Sequence, residues 1–202
     1  MKKFIMTIPF QKPEQLRKSI YEAVENERLQ YNKEISFPII AVLNAYAVKE
    51  EEVELIVIRH EYENAIENYK TLCSEIQEFE QEKGCKCVME EVVVPYNDLI
   101  DTHLDTFGKL ITYMEEGDTI YACMTYGSKP IPIVEMMALN YAYRAKKNTE
   151  IGCIAYGQVD HNDNKMKIYD MTPLFYMDEI VKNVAEMNVK DPLAAIKSIL
   201  TW

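Results

Sequence analysis

Three observations predict an α/β fold with a mostly parallel central sheet and helices on both faces. Short apolar, β-branched runs alternate with longer stretches of helical periodicity along the 202-residue chain. The first run, residues 2–9, is apolar nearly throughout, as strands covered on both faces are. The run Thr119 to Met124 breaks at Thr125-Tyr126-Gly127-Ser128-Lys129 and passes into an apolar helical stretch through Pro130 and Pro132. Proline suits the first turn of a helix, where a backbone N–H has no partner anyway.

Taken in order, Pro9 ends the first strand, and residues 13–31 show helical spacing through Leu16, Ile20 and Val24. A second apolar segment runs from Ser36 to Val48. Val53 to Ile58 is the second strand, and residues 65–83 form a long helix with Ile66, Tyr69, Leu72, Ile76 and Phe79 on one stripe, closed by Gly84. Strand three is Cys87 to Val94. Asn97 or Asp98 is placed to cap the next helix, which runs to about Glu116 with Leu99, Leu104, Phe107, Leu110 and Ile111 facing inward. Strand four is Thr119 to Met124. Strands at 151–159 and 166–171 flank the polar turn His161-Asn-Asp-Asn164 and read as a C-terminal β-hairpin at the sheet edge. Residues 173–187 and 192–200 are closing helices. The pattern is that of a Rossmann-like α/β domain over 1–172, with a short helical appendage over 173–202.

Composition sets limits on function. The formal net charge of −11 argues against wrapping a long nucleic acid, which needs a broad basic face. A small anion in a local pocket is not excluded. No apolar run reaches the ~18 residues of a membrane span. The lysines and short apolar run at the N-terminus are followed by no small-residue cleavage site, so they read as a strand rather than a signal peptide. Five cysteines (Cys73, Cys85, Cys87, Cys123, Cys153), an odd number without an export signal, suggest reduced thiols and a cytoplasmic location.

Several chemistries have no signature. The dinucleotide fingerprint, the Walker A loop and the serine-hydrolase elbow are missing, so no cofactor is expected. His60, His103 and His161 are widely spaced, and Cys85-x-Cys87 has no second pair, so no metal is expected either. His161-Asn-Asp163 reads as polar turn chemistry. What remains is the junction at 125–129, which sets a glycine, two hydroxyls and a lysine at the carboxyl end of a strand and the start of a helix. Open α/β sheets bind ligands there, and the helix N-terminus favours an anion. The plain alternative is an ordinary tight turn. With strands one and four side by side, Thr7-Ile8-Pro9-Phe10-Gln11 would face Thr125 to Lys129 across one crevice.

Thr125-Tyr-Gly-Ser-Lys-Pro-Ile-Pro-Ile-Val, followed by Ala138-Leu-Asn-Tyr-Ala-Tyr143, resembles the second signature of CRISPR-associated Rossmann-fold (CARF) domains. Phe37-Pro-Ile-Ile, Asn44-Ala-Tyr46, Asn68-Tyr69 and Ile168-Tyr-Asp-Met-Thr-Pro173 resemble the same subfamily. The resemblance implies a homodimer that binds a cyclic oligoadenylate, a messenger of type III CRISPR antiviral defence, across its two-fold axis. Cyclic tetra-adenylate is the family's usual ring for such a dimer.

Carried onto this chain, the ligand loops are Thr7, Ile8, Pro9, Phe10 and Gln11, and Thr125, Tyr126, Gly127, Ser128 and Lys129. Hydroxyls of Thr125 and Ser128 would meet phosphate, with Lys129 as the charge; Phe10 or Tyr126 would stack on adenine, or simply pack. Many relatives carry a ribonuclease with an arginine four to six residues before a histidine, and that motif is absent here. Two readings follow. One is a metal-independent ring nuclease, in which a ribose 2′-OH attacks the adjoining phosphate, Lys129 stabilises charge and Ser128 or Thr7 positions the hydroxyl. No histidine is expected near the site. The other is a non-catalytic sensor or sponge acting through an effector partner. A nucleotide- or phosphosugar-binding α/β enzyme is the reading from an unrelated class.

Overall fold

A computed structural model describes residues 1–160 and 165–200. Seven strands form one sheet: β1 (Lys2–Thr7), β2 (Tyr21–Val24), β3 (Glu52–His60), β4 (Lys86–Val94), β5 (Thr119–Cys123), β6 (Glu150–Asp160) and β7 (Lys165–Asp170). Their order is β2-β7-β6-β5-β1-β3-β4. Every neighbouring pair is parallel except β6 with β7, so β1, β3, β4, β5 and β6 run one way and β2 and β7 the other. The helices are α1 (Ile39–Tyr46), α2 (Glu63–Lys83), α3 (Ile100–Thr112), α4 (Ile131–Ala145), α5 (Thr172–Glu186) and α6 (Pro192–Leu200).

β1 shows why both sheet faces are covered. Phe4, Met6 and Ile8 are fully buried among Ile40 and Leu43 of α1 and Leu72 and Ile76 of α2. Alternate residues point the other way, and there Thr7 meets Glu135 of α4. A strand apolar at successive positions is the sequence mark of this arrangement. Gly84 ends α2 in the left-handed conformation, φ 70°, where a side chain would strain the backbone. At the opposite end of the sheet from the junction turn, the buried Lys3 ammonium is held by Glu54 at 3.0 Å and Asp118 at 3.3 Å.

Four expectations change. Residues 13–31 are not a helix: 3-10 turns at Pro13–Gln15 and Glu27–Leu29 flank β2. Pairing with β7 gives Tyr21 to Val24 a hydrogen-bonded ladder and buries Tyr21, and that tertiary gain outweighs the local periodicity. β2 is therefore the sheet edge, and the β6–β7 pair lies inside it; the turn at 161–164 falls outside the described residues. The cap of α3 is Leu99, with Asn97 Oδ1 accepting from the Leu99 N–H at 3.0 Å. The inward face of α3 is also narrower than its pattern suggests. Leu110 is buried, but Leu99 and Leu104 are 65% and 55% exposed.

The chain divides into two compact units, Met1–Asp170 and Met171–Trp202. Within the second, α5 and α6 pack on one another, and Lys182 reaches Asp178 and Glu179 on its own helix.

Candidate functional site

β1 and β5 pair directly, Met6 opposite Cys123, so the loops that follow them leave the sheet side by side. β1 is also where the chain's direction of travel across the sheet reverses, with β3 on one flank and β5 on the other. Contact between the loops is tight. A Cβ placed on Gly127 would sit 2.8 Å from Thr7 Cγ2, and Gly127 has φ 107°, a conformation that side chains rarely adopt. Glycine is required here twice over, by the backbone and by its neighbour.

The first loop is fastened from α2. The fully buried Asn68 carboxamide donates to the carbonyls of Pro9 at 3.0 Å and Gln11 at 2.9 Å, and Asn64 donates to the carbonyl of Phe10 at 3.1 Å. Ile8 is buried, its N–H bound to Ile58 O at 2.9 Å. In the second loop, Thr125 Oγ1 accepts from the Gly157 N–H at 2.8 Å and lies 3.1 Å from Cys123 Sγ, so its hydroxyl serves the loop itself. The Tyr126 hydroxyl donates to Ser36 O at 2.9 Å, and its ring packs edge-on against Phe37. Burial raises the Tyr126 phenol far above its ordinary range. Tyr126 thus ties the second loop to the core through its hydroxyl while its ring stays partly buried. Ser128 and Lys129 remain: the Ser128 hydroxyl is buried without a partner, Lys129 is exposed, and α4 begins immediately after them.

Beyond the strand ends lies a cavity of about 320 Å³, lined by Phe10, His60, Tyr96, Asn97, Asp98 and Ser128. Its walls come from the carboxyl ends of β1, β3, β4 and β5. Phe10 sits edge-on against His60 at 4.7 Å and against Tyr96 at 5.4 Å, and Tyr96 stacks on Tyr62 at 4.5 Å. The expectation that no histidine lies near the site is wrong. His60 closes β3, and adjacent parallel strands carry it to Phe10 although fifty positions separate them in sequence. His60 is 1% exposed and neither ring nitrogen has a partner; burial lowers its pKa, so the imidazole is neutral at pH 7. His103 of α3 is also buried, with Nε2 3.8 Å from Asp98 Oδ1.

Behind the two loops, Thr7 Oγ1 donates to Glu135 Oε1 at 2.9 Å. Glu135 is 1% exposed, its other oxygen has no partner, and burial pushes its pKa up to about 8 against the smaller opposite effect of Thr7. The carboxyl therefore carries its proton at neutral pH. His60, Tyr96, Asp98 and Glu135 were not legible as site residues, and Asn68 entered only through the Asn68-Tyr69 resemblance, with no role attached. For His60 and the Tyr96–Asp98 segment the one signal was position, since both directly follow apolar strand runs.

What the arrangement offers is a pocket with an aromatic wall and, at the helix N-terminus beside it, an exposed lysine and a serine whose buried hydroxyl has no partner. Such a pocket suits a base on one side and a phosphate on the other. Among the described residues, no three histidine, cysteine, aspartate or glutamate side chains are grouped to hold a metal ion, and no helix is long and apolar enough to cross a membrane. A comparison with models of known protein families, and with curated proteins, finds no match for the chain.

Proposed function

We propose that this chain binds a cyclic oligoadenylate, cyclic tetra-adenylate in the first instance, and cleaves it without metal as a ring nuclease. The observation that carries the reading is the cavity: it lies at the carboxyl end of the sheet, and its wall includes Ser128, whose buried hydroxyl has no partner, with Lys129 next to it ahead of α4. A helix N-terminus and a lysine favour phosphate, and Phe10 and Tyr96 present aromatic surface to a base.

At about 320 Å³ the cavity has room for one nucleotide and not for a ring. A ring therefore needs two copies, each housing part of it. The face that would meet the second copy is apolar. Ile100 and Leu104 of α3 and Ile133 and Met137 of α4 are 71%, 55%, 64% and 44% exposed around a groove between the helices. Both helices start at the cavity, so a copy docked on this face brings a second cavity close to the first.

The test is incubation of the purified protein with cyclic tetra-adenylate in chelator, with products followed by chromatography and binding by calorimetry. Linear di-adenylate with a 2′,3′-cyclic phosphate end is the expected product. An intact ring, tightly bound, would replace the nuclease with a sensor or sponge, and failure to bind any ring size would overturn the reading. Leu104→Glu is expected to yield a monomer by light scattering and to lose ring binding with it.

A further inference from the structure

We infer that His60 is the group that takes the proton from the attacking ribose 2′-hydroxyl, an inference that rests on reading the cavity as a cyclic oligoadenylate site. Three features of the structure support it. His60 forms part of the cavity wall, next to Phe10 and with Ser128 across the same space. Both of its ring nitrogens are buried without a partner, an arrangement that folding alone does not favour, because buried polar atoms are normally hydrogen-bonded. And the imidazole is held neutral by burial, the form able to accept a proton.

The imidazole is covered rather than sealed. Phe10 lies edge-on over it at 4.7 Å and is itself only partly buried. The backbone of that loop is fixed through the carbonyls of Pro9, Phe10 and Gln11, so access to the imidazole would come from rotation of the Phe10 side chain rather than movement of the loop. A nucleotide whose base engages Phe10 would bring its ribose to the imidazole.

The step balances with no co-reactant. The 2′-oxygen gives its proton to His60 and forms a bond to phosphorus. The bond from phosphorus to the 5′-oxygen breaks in line, and that oxygen leaves with a proton from water. His60 then returns its proton to solvent. Ser128 donates a hydrogen bond to a non-bridging phosphate oxygen, and Lys129 offsets the charge that develops there. The titratable groups facing His60 are Asp98, from the segment after β4, and His103 of α3, with Tyr96 at the cavity wall. Asp98 favours the imidazolium and His103 opposes it, but burial is the larger influence.

The experiment measures single-turnover conversion of cyclic tetra-adenylate under excess protein, with its dissociation constant, for wild type and His60→Asn. The expected result is a rate lowered about 10²- to 10⁴-fold with affinity changed by less than about threefold. Wild-type rate in the variant would overturn the role of His60 and leave the site reading intact. Tight binding by wild type with no conversion would also overturn it, leaving a sponge. No binding at all would remove both.

Should His60→Asn fail to fold, the wild-type pH–rate profile decides. A base with a lowered pKa gives a rate that rises to a plateau, with its midpoint below the ordinary imidazole value of about 6.5. A midpoint at or above that value, or a rate that falls as pH rises, would overturn the inference.

Discussion

Gly127→Ala tests whether the two loops meet as closely as described. The new methyl group would sit 2.8 Å from Thr7 Cγ2, 3.3 Å from Thr7 Cβ and 3.5 Å from Ile131 Cβ, at a backbone φ of 107°. Holding a non-glycine residue in that conformation costs about 1–3 kcal/mol. Forcing a methyl into filled space adds about 1–3 kcal/mol, because neither β1 nor α4 can retreat freely. The expected total is about 2–6 kcal/mol. For a chain of this size, each kcal/mol lowers the melting temperature by about 2–4 °C, so a fall of about 4–24 °C should be seen by calorimetry.

Thr7→Ser separates the two contributions. It removes the nearest methyl and keeps the hydroxyl on Glu135. In that background the alanine should cost about 1–2 kcal/mol less, the remainder being backbone strain, as a double-mutant cycle measures. A Gly127→Ala protein within ~0.5 kcal/mol of wild type would refute the juxtaposition and the crevice built on it.

Three further outcomes are expected. Glu135 has a folded pKa of about 8 against 4.5 for the free group, so stability is fully present below the lower value and declines as pH rises towards the upper one. Glu135→Gln, which does not titrate, should gain on wild type by a few kcal/mol between pH 5 and 8 in urea unfolding; parallel curves would contradict a protonated carboxyl. Asn68→Ala leaves two carbonyls in the first loop without donors and should cost about 2–4 kcal/mol, with faster amide exchange at residues 10 and 11. Lys129 is exposed, so Lys129→Ala should leave the melting temperature within about 1 °C. It should weaken ring binding about tenfold, and more at low salt, which calorimetry at two ionic strengths would reveal.

The strands were the legible part of this chain, because an apolar β-branched run fully covered on both faces has few alternatives. β1, β3, β4 and β5 fall where the runs fall, and Gly84 and Gly127 mark real turns. β2 was not legible. Tyr21 to Val24 is short and set in helical spacing, and only β7, about 145 residues downstream, makes it a strand. The candidate site divides the same way. Residues 7–11 and 125–129 stand in unbroken motifs, and the parallel pairing of β1 with β5 brings them together. His60, Asp98 and Glu135 are contributed singly by three separate elements. Each looks like an ordinary surface or core residue until the strand order is known. Tyr126 shows the converse: it belongs to the motif, yet its hydroxyl is committed to Ser36, a partner ninety positions away that no local pattern reveals.

The clasp that Asn68 places on the carbonyls of Pro9 and Gln11 has a consequence for the timing of recognition. Ordering a loop consumes conformational freedom, and here that freedom is surrendered when α2 packs, before any visitor arrives. One jaw of the crevice is thus set in advance and behaves as an anvil. Whatever accommodation a guest demands must come from the other jaw, around Ser128 and Lys129, or from the swing of one phenyl ring. Association should accordingly run in a single kinetic phase, without the slow step that a loop folding around its ligand would impose.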